Sequence, residues 1–322
     1  MSATEVDRMD HVTYRHPTRD DFVGISGIIR SALDDLLKQH GRWDTSPFAS
    51  IRLPPIPPNG PFPLYEQGIR EDYEGLWVAE VDNELAGFGY SWVRGQLWYL
   101  AQLFVLTQFQ GLGIGRNLMN HTLEHGKHSN ITNRALLTFA YNPVSISLYS
   151  LHGIYPRVPM YYMEGPSEKV PGPTTDSGLK GVRVERFHEH RTVLNKIDEN
   201  CIGFPREKNH ELINSQATNR CHVFTAHSEP VGYAYHTDGG RVGPIASTST
   251  KWFFEIVKHA LAYAAGEKKP TVSINVTGSN NDLMKLALNL GLKIRENGLF
   301  MSSKPFANFE TSYVMHPLGS LL

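Results

Sequence analysis

The chain has 322 residues and a mass of 36.2 kDa, enough for two domains of ordinary size, and its 40% hydrophobic and 20% charged residues exclude a disordered chain. Thirty-one basic residues against 32 acidic ones leave a formal net charge of -1, so no global field draws the protein to nucleic acid or to an anionic membrane. The opening MSATEVDRMDHVTYRHP lacks a signal-like apolar run, and no later run nears the ~20 apolar residues of a membrane span, so a cytoplasmic protein is expected.

In chain order, a strand is expected at Val12 to Arg15 and a helix over Arg19 to Gln39, started by Asp20 and Asp21. Residues 41 to 72 read as irregular, and LPPIPPNGPFP within them as a rigid surface loop, because prolines break helix interiors and central strands. Strands follow at 76 to 82, 85 to 93 and 97 to 106, then a helix at 114 to 126, a strand at 135 to 141, a helix at 143 to 152 and a strand near 158 to 164. This order is mixed α/β.

Residues 165 to 181, GPSEKVPGPTTDSGLKG, have the composition of an exposed connector. On either side the chain repeats itself faintly. Asn142 to Ile154 overlays Asn280 to Leu292 without a gap, and the same offset lays Leu118, Met119, His121 and Leu123 over Ile256, Val257, His259 and Leu261. WVAEVDNELAGFGY (77 to 90) likewise resembles HVFTAHSEPVGYAY (222 to 235), a strand, a turn and a strand through Gly87 or Gly232. A first domain over 1–165, a linker over 166–180 and a related second domain over 181–322 are expected.

Cys201 and Cys221 are the only cysteines and no metal-finger spacing surrounds them, so reduced thiols are expected. There is no HExxH, and His121 and His125 lack a nearby acidic third ligand, so no metal is expected.

The stretch Leu103-Phe104-Val105-Leu-Thr107-Gln-Phe-Gln110-Gly111-Leu112-Gly113-Ile114-Gly115-Arg116 runs from a buried-looking strand through a Gly-rich turn into an amphipathic helix. Glycines permit positive φ and close approach, a helix start presents free N–H groups to an anion, and Arg116 adds charge, so the turn suits a phosphate. No Lys-Ser or Lys-Thr follows, which excludes a triphosphate-binding P-loop. The turn also comes after three strands instead of opening a βαβ unit, which disfavours a dinucleotide site.

Two segments together resemble the GNAT superfamily of acyl-CoA-dependent N-acyltransferases. Gln110-Gly-Leu-Gly113-Ile-Gly115 is similar to its Gln/Arg-x-x-Gly-x-Gly/Ala pyrophosphate loop, and Asn142 to Ile154 to its Asn-x-x-Ala-x-x-Leu-Tyr-x-x-x-Gly-Phe signature. The departures are Thr107 where relatives often carry Pro, Ser145 for Ala and Ile154 for Phe. The resemblance implies a tandem pair of domains, each a twisted, mostly antiparallel mixed sheet flanked by helices. It implies acetyl-CoA as acyl donor, held by Leu103, Phe104 and Val105 and by the loop Gln110, Gly111, Leu112, Gly113, Ile114, Gly115 and Arg116. Asn142 is then expected to contact the cofactor and Tyr149 to stand near its sulfur.

In that reading Tyr149 protonates the departing thiolate while the Val105 N–H stabilises the oxyanion formed by direct attack of an amine. The attacking amine needs a base, and Leu97 to Leu106 offers only Tyr99 and Gln102; Glu80 and a water relay are the alternatives. Trp43, Phe48, Phe62 and Tyr65 form either an aromatic lid for a small-molecule amine or a loop docked on a core. The second half has Ala287 at the place of Tyr149, and Gly243-Pro-Ile-Ala-Ser-Thr-Ser-Thr without a GxG, so it reads as a degenerate domain that closes the acceptor site or forms a homodimer. A non-catalytic acyl-CoA sensor is the competing class; Tyr149 favours the enzyme.

Overall fold

A computed structural model of the protein describes residues 12–52, 62–173, 178–317 and 319–322. Its contacts form two units: residues up to 136 with 141–152, and residues 137–140 with 153–322.

In the first unit β1 (Val12–Arg15), β2 (Leu76–Val81), β3 (Glu84–Arg94) and β4 (Leu97–Val105) run antiparallel in sequence order, and the part of β5 (Asn133–Phe139) that belongs to this unit, residues 133–136, lies parallel to β4. The β2–β3 hairpin turns on Asp82 and Asn83 at φ of 52° and 64°, the left-handed pair that matches strand twist. Two helices cover the sheet, α1 (Phe22–Gln39) and, later in the chain, α3 (Ile114–Glu124). Strand alternation turns Gly87 toward α3, where a Cβ would come within 2.9 Å of Leu118, and turns Phe88 the other way onto Tyr65. Between these helices the region read as irregular contains α2 (Pro63–Glu71). Pro63 occupies its first position, where a missing N–H costs nothing, so the proline argument fails there. Residues 53–61, most of the expected rigid loop, lie outside the described residues.

The β4–β5 ladder is short. It runs from Leu97 opposite Asn133 to Leu100 opposite Leu136, although β4 continues to Val105. Tyr90 faces Gln102 and Ser91 faces Leu100, which leaves Ala101 as an extra residue. This β-bulge bends β4, and beyond it β4 pairs with β3 alone among the described residues.

The second unit holds β6 (Tyr155–Pro166), β7 (Leu179–Arg183), β8 (Asn219–Ala226), β9 (Glu229–Thr237), β10 (Arg241–Ser247), β11 (Thr271–Thr277) and β12 (Lys293–Ser302), in the order β12-β6-β11-β10-β9-β8-β7. Each edge of β6 is occupied, Tyr155 to Glu164 by β12 and Met160 to Pro166 by β11. The expected boundary at residue 165 lies within the end of this strand, whereas the unit boundary falls before it, because its backbone partners come from the second half. Of the expected linker, Ser167–Lys169 is a 3-10 turn and residues 174–177 lie outside the described residues.

The internal repeat has physical causes. The β8–β9 hairpin turns on His227 and Ser228, again at positive φ (50° and 67°). Gly232 repeats Gly87, since a Cβ there would come within 2.6 Å of Ile256, the counterpart of Leu118, on α7 (Thr250–Gly266). The two matching asparagines are helix caps. Asn142 accepts the Ser145 N–H at the start of α4 (Pro143–Leu151), and Asn280 accepts the Leu283 N–H at the start of α8 (Asn281–Asn289).

In one respect the units differ. β10 and β11 pair in parallel at Arg241 and Val242, and beyond that point β13 (Tyr313–Val314) takes the edge, with Ile245 opposite Val314 and Ala246 opposite Tyr313. The segment is anchored by Asn275 Nδ2 to the His316 carbonyl (3.0 Å) and by Arg206, which donates to the Leu321 (3.1 Å) and Leu322 (2.9 Å) carbonyls. Arg206 precedes α6 (Glu207–Ser215) and is paired with Asp198 of α5 (Phe187–Ile202) at 2.9 Å, both buried. Deleting residues 313–322 should lower the stability of the second unit by several kcal/mol, because Tyr313, Val314 and Met315 are buried and each contributes roughly 1.5–3 kcal/mol. The same deletion should create no acetyl-CoA site; urea melts and titration calorimetry check both outcomes.

His222 on β8 stacks on His236 of β9 (5.4 Å between centroids) and beneath Tyr263 of α7 (4.4 Å). Burial, then the neighbouring His236 and Arg183, push its pKa down to about 4. Its contribution to stability is therefore complete above the unfolded value near ~6.5 and is lost as pH falls through the folded value. The urea midpoint of the second-unit transition should fall from pH 7 to pH 4.5, and less steeply in His222→Phe.

Candidate functional site

The open edge of β4 is chemically specific. Leu106 N–H donates to the Ala86 carbonyl at 2.9 Å, so in the antiparallel alternation residues 104 and 106 face β3 while Leu103 and Val105 turn their N–H and C=O groups to the side β5 has left. The Val105 carbonyl is taken by the Gln110 side-chain amide at 3.0 Å. The side chains of Leu103 and Val105 pack with Phe109 and Leu112 against Ile114 and Leu118, which fixes the strand end on the core. Phe104 is half-buried on the opposite face.

Directly after β4 comes a 3-10 turn, Thr107–Phe109, and then Gly111 and Gly113 at φ of 84° and 76°. Gly113 caps α3 with no side-chain bond to the helix, and a Cβ on Gly111 or Gly113 would meet open space. Ile114 is buried and Leu112 half-buried, so apolar side chains anchor a loop whose backbone faces outward. The N–H groups of Ile114, Gly115 and Arg116 are the first-turn donors that an α-helix leaves unpaired, at its positive end. Arg116 is exposed and makes no ion pair among the described residues. This arrangement can bind a phosphate-like anion.

Gly115 joins strand, loop and the next helix. A Cβ there would stand 3.7 Å from Val105 Cγ2 and 3.9 Å from Leu148 Cδ2, so α4 reaches the point where β4 meets α3. His152 at the end of α4 reinforces this, its Nε2 lying 3.0 Å from Asn120 Oδ1 on α3. One residue after Leu148, Tyr149 is 5% exposed. Burial pushes its phenol up to about 12, only partly offset by a hydrogen bond with Ser145. The proton is therefore retained throughout the neutral range. The visible bond of the Asn142 side chain is the cap at the start of α4.

The remaining candidates are placed elsewhere. Glu80 sits on β2 in an ion cluster with Arg15 (2.6 Å), which also holds Asp21 (2.8 Å). Tyr99 is buried and stacked on Trp92 at 4.7 Å. Gln102 bonds to Tyr65, whose phenol is raised to about 12 by burial. Phe62 and Tyr65 are docked on Phe22 at 5.6 and 5.5 Å, as core residues. Trp43, under Lys38 at 5.3 Å, and Phe48 are half-buried. Sequence reasoning missed the Ala101 bulge and the bond from Thr107 to Asp35 on α1 (2.7 Å), neither of which has a local signature.

The loop geometry separates its glycines. Gly113→Ala should destabilise the first unit by about 1–2 kcal/mol, the cost of a left-handed non-glycine residue. Gly115→Ala, with ordinary contacts at its Cβ, should stabilise it by up to ~1 kcal/mol through helix propensity. Urea unfolding of both variants tests this.

The sequence profile of the acetyltransferase (GNAT) family matches residues 41–154, which includes the β4 edge, the loop and α4. An uncharacterised N-acetyltransferase of Archaeoglobus fulgidus is 36% identical over 69 residues, covering 19% of this chain and 47% of that protein, about half its length. A provisionally assigned acetyltransferase from Pyrococcus horikoshii has a similar fold over 96% of this chain and 95% of its own (TM-score 0.71, 16% identity). A GCN5-related N-acetyltransferase from Sphaerobacter thermophilus covers 94% and 99% (TM-score 0.61, 15% identity). A tandem GNAT protein from the clavulanic acid biosynthesis pathway covers 91% and 99% (TM-score 0.58, 14% identity). The match to the acetyltransferase (GNAT) family thus lies over the open strand edge, the glycine turn and α4, within residues 41–154, and the three solved structures share their fold with this chain over nearly its full length.

Proposed function

We propose that the first unit is an N-acetyltransferase that moves the acetyl group of acetyl-CoA to a primary amine of a small molecule. The observation that carries this reading is the unpaired half of β4 running through Gly111 and Gly113 into a helix start with free N–H groups. A pantetheine arm is a chain of amides, and the N–H and C=O of Leu103 with the N–H of Val105 suit it as a substitute strand. The pyrophosphate would lie against the N–H groups of residues 111–116, with Arg116 supplying charge. Leu112 and Ile114 hold that backbone through their side chains.

The chemistry asked of the chain is modest. The amine nitrogen attacks the thioester carbonyl, the Val105 N–H donates to the oxygen that gains charge, and the C–S bond breaks as the amide forms. Tyr149, protonated at neutral pH, gives its proton to the thiolate that leaves, and the proton that the nitrogen sheds as the amide forms restores the phenol through water. Because Glu80 is committed to Arg15, the proton lost by the ammonium leaves through water. The second unit has no glycine turn after β10, and the corresponding strand edge is taken by β13. We therefore assign the cofactor site to the first unit alone and a supporting role to the second.

Steady-state release of CoA thiol across a panel of amines, with calorimetric titration of acetyl-CoA, tests the assignment. Tyr149→Phe should lower kcat about 100-fold, the lower range for general acid catalysis, while acetyl-CoA affinity changes less than about threefold. Equal kcat in variant and wild type would remove Tyr149 as the acid. Failure of the folded wild-type chain to bind acetyl-CoA would overturn the reading as a whole.

A further inference from the structure

The β4–α3 connection is tied down by few bonds, and one comes from far away in sequence. Its backbone is closed locally, by Leu106 N–H to Ala86 O (2.9 Å), Phe109 N–H to Leu106 O (2.9 Å) and Gln110 N–H to Thr107 O (3.2 Å). Gly111 and Gly113 follow, the residues that lose most backbone freedom when ordered. The side-chain tie to a separate element is the Thr107 hydroxyl, which donates to Asp35 Oδ2 at 2.7 Å. Asp35 lies near the end of α1, and its bond lands two residues after Val105 and three before Gln110. A carboxylate acceptor makes this a charge-assisted bond, stronger than one between neutral groups.

We propose that Asp35 is a positioning residue for the cofactor loop: by accepting the Thr107 hydroxyl it holds the turn in the shape that presents the α3 N–H groups to the ligand. Asp35 acts through Thr107 and does not touch acetyl-CoA. The inference rests on the acetyl-CoA reading above. It also runs against simple electrostatics, which gives it a discriminating sign. A carboxylate beside an anion-binding turn repels the anion, so charge alone makes its removal tighten binding. Positioning makes its removal weaken binding, since the ligand must then order the turn itself.

The backbone offers a second way to hold the same turn. Leu106 has φ -56° and ψ 139°, the extended conformation a residue takes before proline, and Thr107 is the first residue of the 3-10 turn. The Thr107 N–H makes no hydrogen bond among the described residues. A proline ring at 107 therefore fits, and fixes covalently what the Asp35 bond fixes non-covalently.

Calorimetric titration of acetyl-CoA into the full chain tests this, each variant first being shown to unfold cooperatively. Thr107→Val and Asp35→Ala should each weaken binding about tenfold, and the double variant no further, because both remove one bond. Thr107→Ser, which keeps the hydroxyl, should bind within about twofold of wild type. In a Thr107→Pro background, Asp35→Ala should no longer weaken binding, leaving at most the slight tightening that loss of its charge gives, whereas a general structural role for Asp35 would persist there. Tighter or unchanged binding in Asp35→Ala, or a tenfold loss on adding it to Thr107→Pro, would overturn the proposal. If wild type binds and the variants match it, only the positioning role fails; if wild type does not bind, the acetyl-CoA reading fails with it.

Discussion

The first unit is organised around a strand that loses its partner halfway. At Ala101 the bulge turns β4 away from β5, and the N–H and C=O of Leu103 and the N–H of Val105 are left on an open edge beside the core, the Val105 carbonyl being taken by Gln110. An amide group buried without a partner costs roughly 1–3 kcal/mol, so such an edge must stay wet, be covered by chain, or be covered by a ligand. The edge runs straight into the glycine turn and the free end of α3. Amide groups in line with an anion-binding helix start are a linear template for a ligand with amides along an arm and phosphate at one end.

The second unit meets the same constraint and resolves it by chain. Its parallel pairing of β10 and β11 covers two residue pairs, and β13 then supplies the missing ladder at Ile245 and Ala246. Every residue from Val242 to Ser247 is buried, whereas β4 turns half-exposed from Ala101 onward. The shared hairpins, the close approach of Gly87 to Leu118 and of Gly232 to Ile256, and the two asparagine caps show one architecture with two outcomes. What separates them is that β13 covers the edge in the second unit.

The elements of the first half were legible because their signals are local. Alternating apolar residues marked the strands, and Gly111 and Gly113 marked the turn in which both adopt positive φ. The Asn142 match was legible too, and capping is one physical cause of it: Asn280 repeats it, and both side chains cap helices. The helix at Pro63 was not legible from proline content, because proline breaks a helix in its interior but is tolerated at its first position, where Pro63 lies. The membership of β6 was missed because strand pairing is decided by the partner, and nothing in Tyr155–Pro166 records that β11 and β12 are its neighbours. The bulge at Ala101 and the bond between Asp35 and Thr107 depend in the same way on residues distant in sequence.

That distinction bears on how far the site follows from its motif. Glycines at 111 and 113 permit the loop conformation but do not select it, since glycine widens the choice of backbone states. Selection comes from Leu112 and Ile114 packed on the core, from Gln110 returning to the Val105 carbonyl, and from Asp35 holding Thr107. The first two lie within the motif and travel with it; the third belongs to α1. A glycine turn therefore becomes a binding site only when its surroundings remove the freedom its glycines confer. In this chain part of that restraint comes from a helix whose sequence alone gives no hint of it.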